Sequence, residues 1–249
     1  MKIWGIAATL AFAVLAFVFG LAVGNDAMTA ALGADPSRGA YDGAAVAVSL
    51  LVGNPVQIVT LGLAARMTGE DLLAYFALNL PRRRDVIIAV AGLAVVILVA
   101  DLLTLAFGRE LVPAFQLQIH RSAQAQGALI SLWVALIVVA PVGEELLFRG
   151  FLFRGFVREP RDALPGILAI SLIWSLLHVQ YDWFGASLVF ALGVLLGYVR
   201  LYSGSTTLVI LLHALLNLES VLETVIVLGW VEAWSAHAHI KSASAAMTG

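Results

Sequence analysis

Long apolar runs alternate with short polar connections along the chain. They lie at about 3–23, 43–65, 86–108, 126–157, 163–180, 185–202 and 205–234. A helix needs about 20 apolar residues to cross a bilayer, allowing for tilt, and the first six runs are near or above that length. The last run, about 30 residues, is long for one span and short for two. The pattern predicts an all-α, polytopic integral membrane bundle with seven transmembrane helices, or eight if the last run breaks near Asn217–Ser220.

Between the second and third runs, residues 69–80 suggest a short amphipathic helix, too short to span. Thr68 and Asp71 resemble a capping box with Asp in place of Glu. This helix is expected at the membrane interface beside Arg82–Arg84. The chain therefore divides into N-terminal spans over 1–125, a polar-bearing helical core over 126–234 and a small, polar, frayed tail over 235–249, within one structural domain. Met1–Gly24 has the look of a secretory signal, but its 21-residue apolar run exceeds the roughly 7–15 of a signal core. It is expected to remain as the first span.

Composition agrees with the pattern: 61% of residues are hydrophobic and 12% charged, about half the charge of a soluble domain. A net charge of −2 offers no basic surface for nucleic acid. The absence of cysteine excludes disulfides, thiol catalysis and a Cys-ligated zinc site.

Loop charge sets the expected orientation. The 24–42 connection carries Asp26, Asp35 and Asp42 against Arg38, whereas Arg66, Arg82–Arg84, Arg154, Arg158 and Arg161 occupy the 66–85 and 154–162 connections. By the positive-inside tendency, the N-terminus and both Arg-rich loops are cytoplasmic. The expected location is a bacterial plasma membrane.

Against this background, residues 140–150 stand out. Glu144, Glu145 and Arg149 lie in a run apolar enough for a bilayer, where an ionised side chain costs about 2.5–3.5 kcal/mol even on insertion scales. Glu145 and Arg149 are i and i+4 with the acid first, the favourable order for a pair. Glu144 is rotated by about 100°, free to project elsewhere. Pro141 removes a backbone donor just before the acids and is expected to open the helix there, which a membrane tolerates beside a cavity.

Two further i, i+4 pairs follow, Trp174 with His178 and His213 with Asn217. Counted along their helices, Glu144 and His178 lie roughly 21–26 Å, and His213 and Asn217 roughly 13–20 Å, from the loops that bound them. The depths overlap, so Glu144, Glu145, His178, His213 and Asn217 can share one cavity. A carboxylate and an imidazole can hold and deprotonate a water, while a second His and an Asn amide can donate to an oxyanion. The alternative is a metal, with Zn²⁺ on Glu144, His178 and His213. Asp101 is expected to be a packing residue bonded to a neighbouring helix, Glu219 and Glu223 to fall on a different face from His213 and Asn217, and His120, His237 and His239 to lie in loop or tail. Tyr181, Trp183 and Trp234 read as interfacial anchors.

The run Glu144-Glu145-Leu146-Leu147-Phe148-Arg149 resembles the Glu-Glu-x-x-x-Arg motif of the CPBP or Abi intramembrane proteases, which include the CAAX prenyl endopeptidase and bacteriocin-processing proteins. Trp174-Ser175-Leu176-Leu177-His178 resembles the family's aromatic-x-x-x-His motif, with Trp where Phe is commoner. His213-Ala214-Leu215-Leu216-Asn217 matches His-x-x-x-Asn, and Leu192–Arg200 resembles its glycine-bearing helix. The likeness covers about 126–220. It implies a membrane endopeptidase in which Glu144 activates water and His178 helps hold it. His213 and Asn217 would form the oxyanion hole, and Glu145 with Arg149 would shape the site.

The expected partners are the bilayer and a protein or peptide substrate, lipidated or not. Two other classes compete: a non-catalytic immunity or scaffold protein of the same family, and an ion or proton transporter. Five costly polar groups favour the enzyme over a scaffold. A transporter would be expected to carry inverted repeats, and none is visible in the sequence.

Overall fold

The computed structural model describes residues 4–33 and 41–248, and from 231 onward the backbone alone. All regular structure among these residues is helical. The long helices are α1 (Ile6–Leu32), α2 (Gly43–Arg66), α4 (Arg83–Ala106), α6 (Leu129–Phe156), α7 (Ala163–Leu177), α8 (Trp183–Ser203) and α9 (Thr206–Thr248). Two short ones, α3 (Leu72–Tyr75) and α5 (Ala114–Ala125), lie in connections. Seven segments are long and apolar enough to cross a membrane. The last apolar run is one of them: α9 continues unbroken past Asn217–Ser220. Its backbone also stays helical through Thr248, where an irregular tail was expected.

The bundle has two ends, each tied by hydrogen bonds. At one, the Trp4 indole donates to Ala64 O at 3.2 Å and Arg154 grips Glu70 at 2.5 Å, while Asn79 donates to Gly204 O at 3.0 Å. At the other, Gly43 N–H donates to Ser122 Oγ at 2.6 Å, Gln126 to Asp42 at 2.8 Å and Arg109 to Asp182 at 2.6 Å. Asp42 also caps α2, accepting from the N–H groups of Ala44 and Ala45, the satisfaction that free helix N-termini require. Asp26 belongs to α1, and Asp35 and Arg38 lie outside the described residues.

The 69–80 segment differs from expectation. Only Leu72–Tyr75 is helical, and its cap is Asp71, which accepts from Ala74 N–H at 3.1 Å. Thr68 instead turns back to Ala65 O at 2.7 Å, so no Thr68–Asp71 box forms. Ala77, at φ 52°, ends the turn, and Leu78 N–H closes on Leu73 O at 2.8 Å, a left-handed stop to the helix. Tyr75 and Phe76 are buried in the core, with Tyr75 beside Phe151, while Leu73 and Leu80 stay exposed.

Candidate active site

α6 carries the acids, and its backbone widens twice, at Ala135–Val139 and Leu146–Leu152. There N–H groups bond five residues back, as Ala140 does to Ala135 O and Phe153 to Phe148 O; such bulges recur at functional sites. In that register the Leu136 carbonyl faces the position of residue 141, a proline without an N–H. Asn217 supplies the missing donor, its Nδ2 lying 2.7 Å from Leu136 O. The opening expected before Glu144 is thus present as a π-type widening closed by a side chain from α9.

Close backbone approach sets the next turn. Gly143 packs so tightly on α2 that a Cβ there would meet Asn54 Oδ1 at 2.3 Å. Gln57 donates to Gly143 O at 3.0 Å. One residue on, the two carboxylates part company.

Glu145 is wholly buried. Its Oε1 accepts from Arg149 Nη1 at 2.9 Å and lies 2.8 Å from His213 Nδ1. Arg149, 1% exposed, also donates to Gly193 O at 3.0 Å and lies over the Trp174 ring, 4.7 Å from its centroid. A guanidinium reaches two acceptors and an aromatic face at once because it is planar and forked. Gly193 lets its helix close on the one that carries Ser171 and Trp174, since a Cβ on it would fall 3.0 Å from each.

Glu144 points elsewhere and is held by a different group. The indole N–H of Trp174 donates to its Oε2 at 2.7 Å, while Oε1 has no hydrogen-bond partner among the described residues. His178 sits immediately beyond the last residue of α7, its Nδ1 2.8 Å from Trp174 O. A carbonyl only accepts, so the proton is assigned to Nδ1 and Nε2 keeps a lone pair. Trp174 therefore secures Glu144 through its side chain and His178 through its backbone.

Glu144, His178 and Asn217 line one cavity of about 420 Å³. Glu145, Arg149 and His213 are packed behind it, outside its lining. Among the described residues no three His, Cys, Asp or Glu side chains stand together as a metal site, and His213 turns its Nδ1 to Glu145. Zn²⁺ on Glu144, His178 and His213 thus finds no converging donor set.

The opposite wall comes from residues that the motifs did not indicate. His120 is a buried helical residue of α5 rather than a loop residue, and it lines the cavity with Gln116 and Tyr181. Its Nδ1 is 2.9 Å from Gln116 O, and its Nε2 is buried without a partner among the described residues. Burial pushes its pKa below the ordinary 6.5. Tyr181 accepts from Gln116 Nε2 at 3.3 Å, and burial raises its phenol's pKa; it forms a wall of the cavity. Beside it, the Gly185 N–H and then Arg109 hold the exposed Asp182 carboxyl below its usual range. The spacing Gln116–His120, i and i+4 on a helix too polar to span, was the available signal for this wall.

Asp101 makes no hydrogen bond or ion pair among the described residues, so the expected bond to a neighbouring helix is not formed. It lines a second cavity of about 520 Å³ with Glu219 and Glu223, on a different face from His213 as expected. Trp183 is 72% exposed. His237, His239 and the Trp234 side chain lie outside the described side chains.

No curated protein and no solved structure matches the chain. A family model does match, across the stretch that holds all three motifs. Residues 126–218 match the family described as type II CAAX prenyl endopeptidase Rce1-like, the family that the motifs resemble.

Proposed function

We propose that the protein is an intramembrane endopeptidase that hydrolyses a peptide bond in or near the membrane, with Glu144 as the base. The observation that carries this reading is the division of the acid pair. Glu145 is wholly buried, its Oε1 shared by Arg149 and His213 and its Oε2 enclosed without a partner among the described residues, whereas Glu144 lines a cavity together with His178. A structural pair explains Glu145 and leaves Glu144 without a purpose.

In this reading a water in the cavity donates one hydrogen to Glu144 Oε1 and the other to His178 Nε2. Its lone pair is then turned toward a substrate carbonyl carbon. Glu144 takes the proton as the C–O bond forms, and the carbonyl oxygen becomes an oxyanion. Asn217 has a second Nδ2 hydrogen not used on Leu136, and it is an amide donor on the cavity wall. His213, held through Nδ1 by Glu145, lies behind the lining, so its part in this reading is to fix Glu145 rather than to touch the oxyanion. Protonated Glu144 then gives its proton to the departing amine as the C–N bond breaks. No covalent intermediate is formed, and no step passes through a metal.

The test is cleavage of a library of lipidated and unlipidated peptides by purified protein in detergent. Wild type is expected to cut, Glu144→Ala and His178→Ala to be inactive, and chelator to have no effect. Cleavage that survives either substitution overturns the assignment. Loss with chelator and recovery with Zn²⁺ would replace it with a metal mechanism. Absence of cleavage of any peptide favours the scaffold reading. CAAX specificity is not carried over, because it depends on a prenylated substrate.

A further inference from the structure

The cavity lies at the end of the bundle opposite the arginines. α7 begins beside Arg161 and runs away from it, and His178 follows its last residue. Its lining at this end includes Tyr41 and Val46 at the start of α2, Gln116 and His120 on α5, and Val179 and Tyr181 between α7 and α8. The hydrogen bonds Gly43–Ser122 and Gln116–Tyr181 tie these segments together. Arg66, Arg82–Arg84, Arg154 and Arg158 belong to the other end, where Arg154 meets Glu70 and Arg158 Nη2 meets Trp4 O at 2.5 Å. Near the cavity only Arg109 and Arg121 occur in the connections among the described residues, against Asp42, Glu110 and Asp182.

From this we infer that the cavity opens on the extracytoplasmic face. The positive-inside tendency counts lysines and arginines in short loops, and it puts the arginine-bearing end in the cytoplasm. The cavity mouth then meets the other side. Resting on the proteolytic reading, this assigns the substrate class: a protein segment exposed at the outer surface of the membrane, such as the juxtamembrane part of an exported chain. A lipidated C-terminus confined to the cytoplasm would not reach Glu144.

The chain has no cysteine, so single-cysteine reporters are clean. Val179, 87% exposed, lines the cavity mouth, and the Glu159 side chain, 57% exposed, lies at the arginine-bearing end. The full chain carrying Val179→Cys or Glu159→Cys would be exposed to a membrane-impermeant maleimide in spheroplasts, then again after permeabilisation. The inference expects Val179→Cys to be labelled before permeabilisation and Glu159→Cys only after it. The reverse pattern, or equal labelling of both from the start, overturns it. Gln180→Cys, also on the cavity mouth, serves if the first variant does not accumulate. Labelling reads the side without any activity. A cleavable peptide given to right-side-out and inverted vesicles then tests the consequence, with cutting expected in the right-side-out vesicles alone. Correct labelling with no cutting in either would overturn the protease reading and leave the side standing; cutting confined to inverted vesicles overturns the inference.

Discussion

Asn217 donates to the carbonyl of Leu136 at 2.7 Å, across from one helix to another. That carbonyl lacks its helical donor because residue 141 is proline. A buried acceptor left unpaired costs about 1–3 kcal/mol, so Asn217→Ala is expected to lose stability in that range. Pro141→Ala restores a backbone N–H, and in that background the same change should cost at least about 1 kcal/mol less. Thermal or denaturant unfolding of the four proteins in detergent measures the coupling. Additive losses would show that Asn217 does not serve this carbonyl.

Arg149 gives a second expectation. Removing one member of a buried ion pair costs about 3–5 kcal/mol, so Arg149→Ala should unfold far below the wild type. Arg149→Lys should recover only part of the loss. A single ammonium lacks the planar fork that joins Glu145, Gly193 and the Trp174 face together.

Trp174→Phe keeps an aromatic ring and the backbone carbonyl that holds His178, but removes the N–H on Glu144. A base displaced by an ångström can cost up to about a hundredfold in rate. The expected result is a kcat about ten- to a hundredfold lower with KM within about twofold of wild type. Unchanged kcat would mean that the indole does not position the carboxylate.

His120 bears on acid stability. Its folded pKa lies below the ordinary 6.5 because burial disfavours the cation. Above 6.5 the ring is neutral in folded and unfolded chains, and it gives no pH dependence. As pH falls below 6.5 the unfolded chain takes the proton first, so stability falls until the folded pKa is reached, at no more than about 1.4 kcal/mol per pH unit. Unfolding measured between pH 7 and 5 should therefore show a shallower decline for His120→Gln than for wild type.

The spans were readable because a bilayer imposes a length and an apolar content that survive any packing. The separation of Glu145 from Glu144 was readable too, since helical period and the i+4 arginine fix it. Less was visible where partners come from distant segments. Nothing near residue 141 says that Asn217 will satisfy the carbonyl freed by the proline, although the opening itself was foreseeable. His120 was misplaced because a 12-residue amphipathic helix between spans carries no hydropathy peak. Its burial arises only when the connections at that end fold together over the cavity. The 69–80 segment failed as a longer helix because the apolar Tyr75 and Phe76 found a place in the core, which local pattern cannot reveal.

The central claim is that two adjacent carboxylates have different work, and one comparison tests it most directly. Hydrolysis of a cleaved peptide and thermal unfolding would be measured side by side for wild type, Glu144→Gln and Glu145→Gln. Loss of a general base costs about 10²–10⁴ in rate. Glu144→Gln should therefore lose at least a hundredfold in kcat with an unfolding temperature close to wild type, whereas Glu145→Gln should be markedly less stable. A Glu144→Gln protein that cleaves at the wild-type rate would contradict the account.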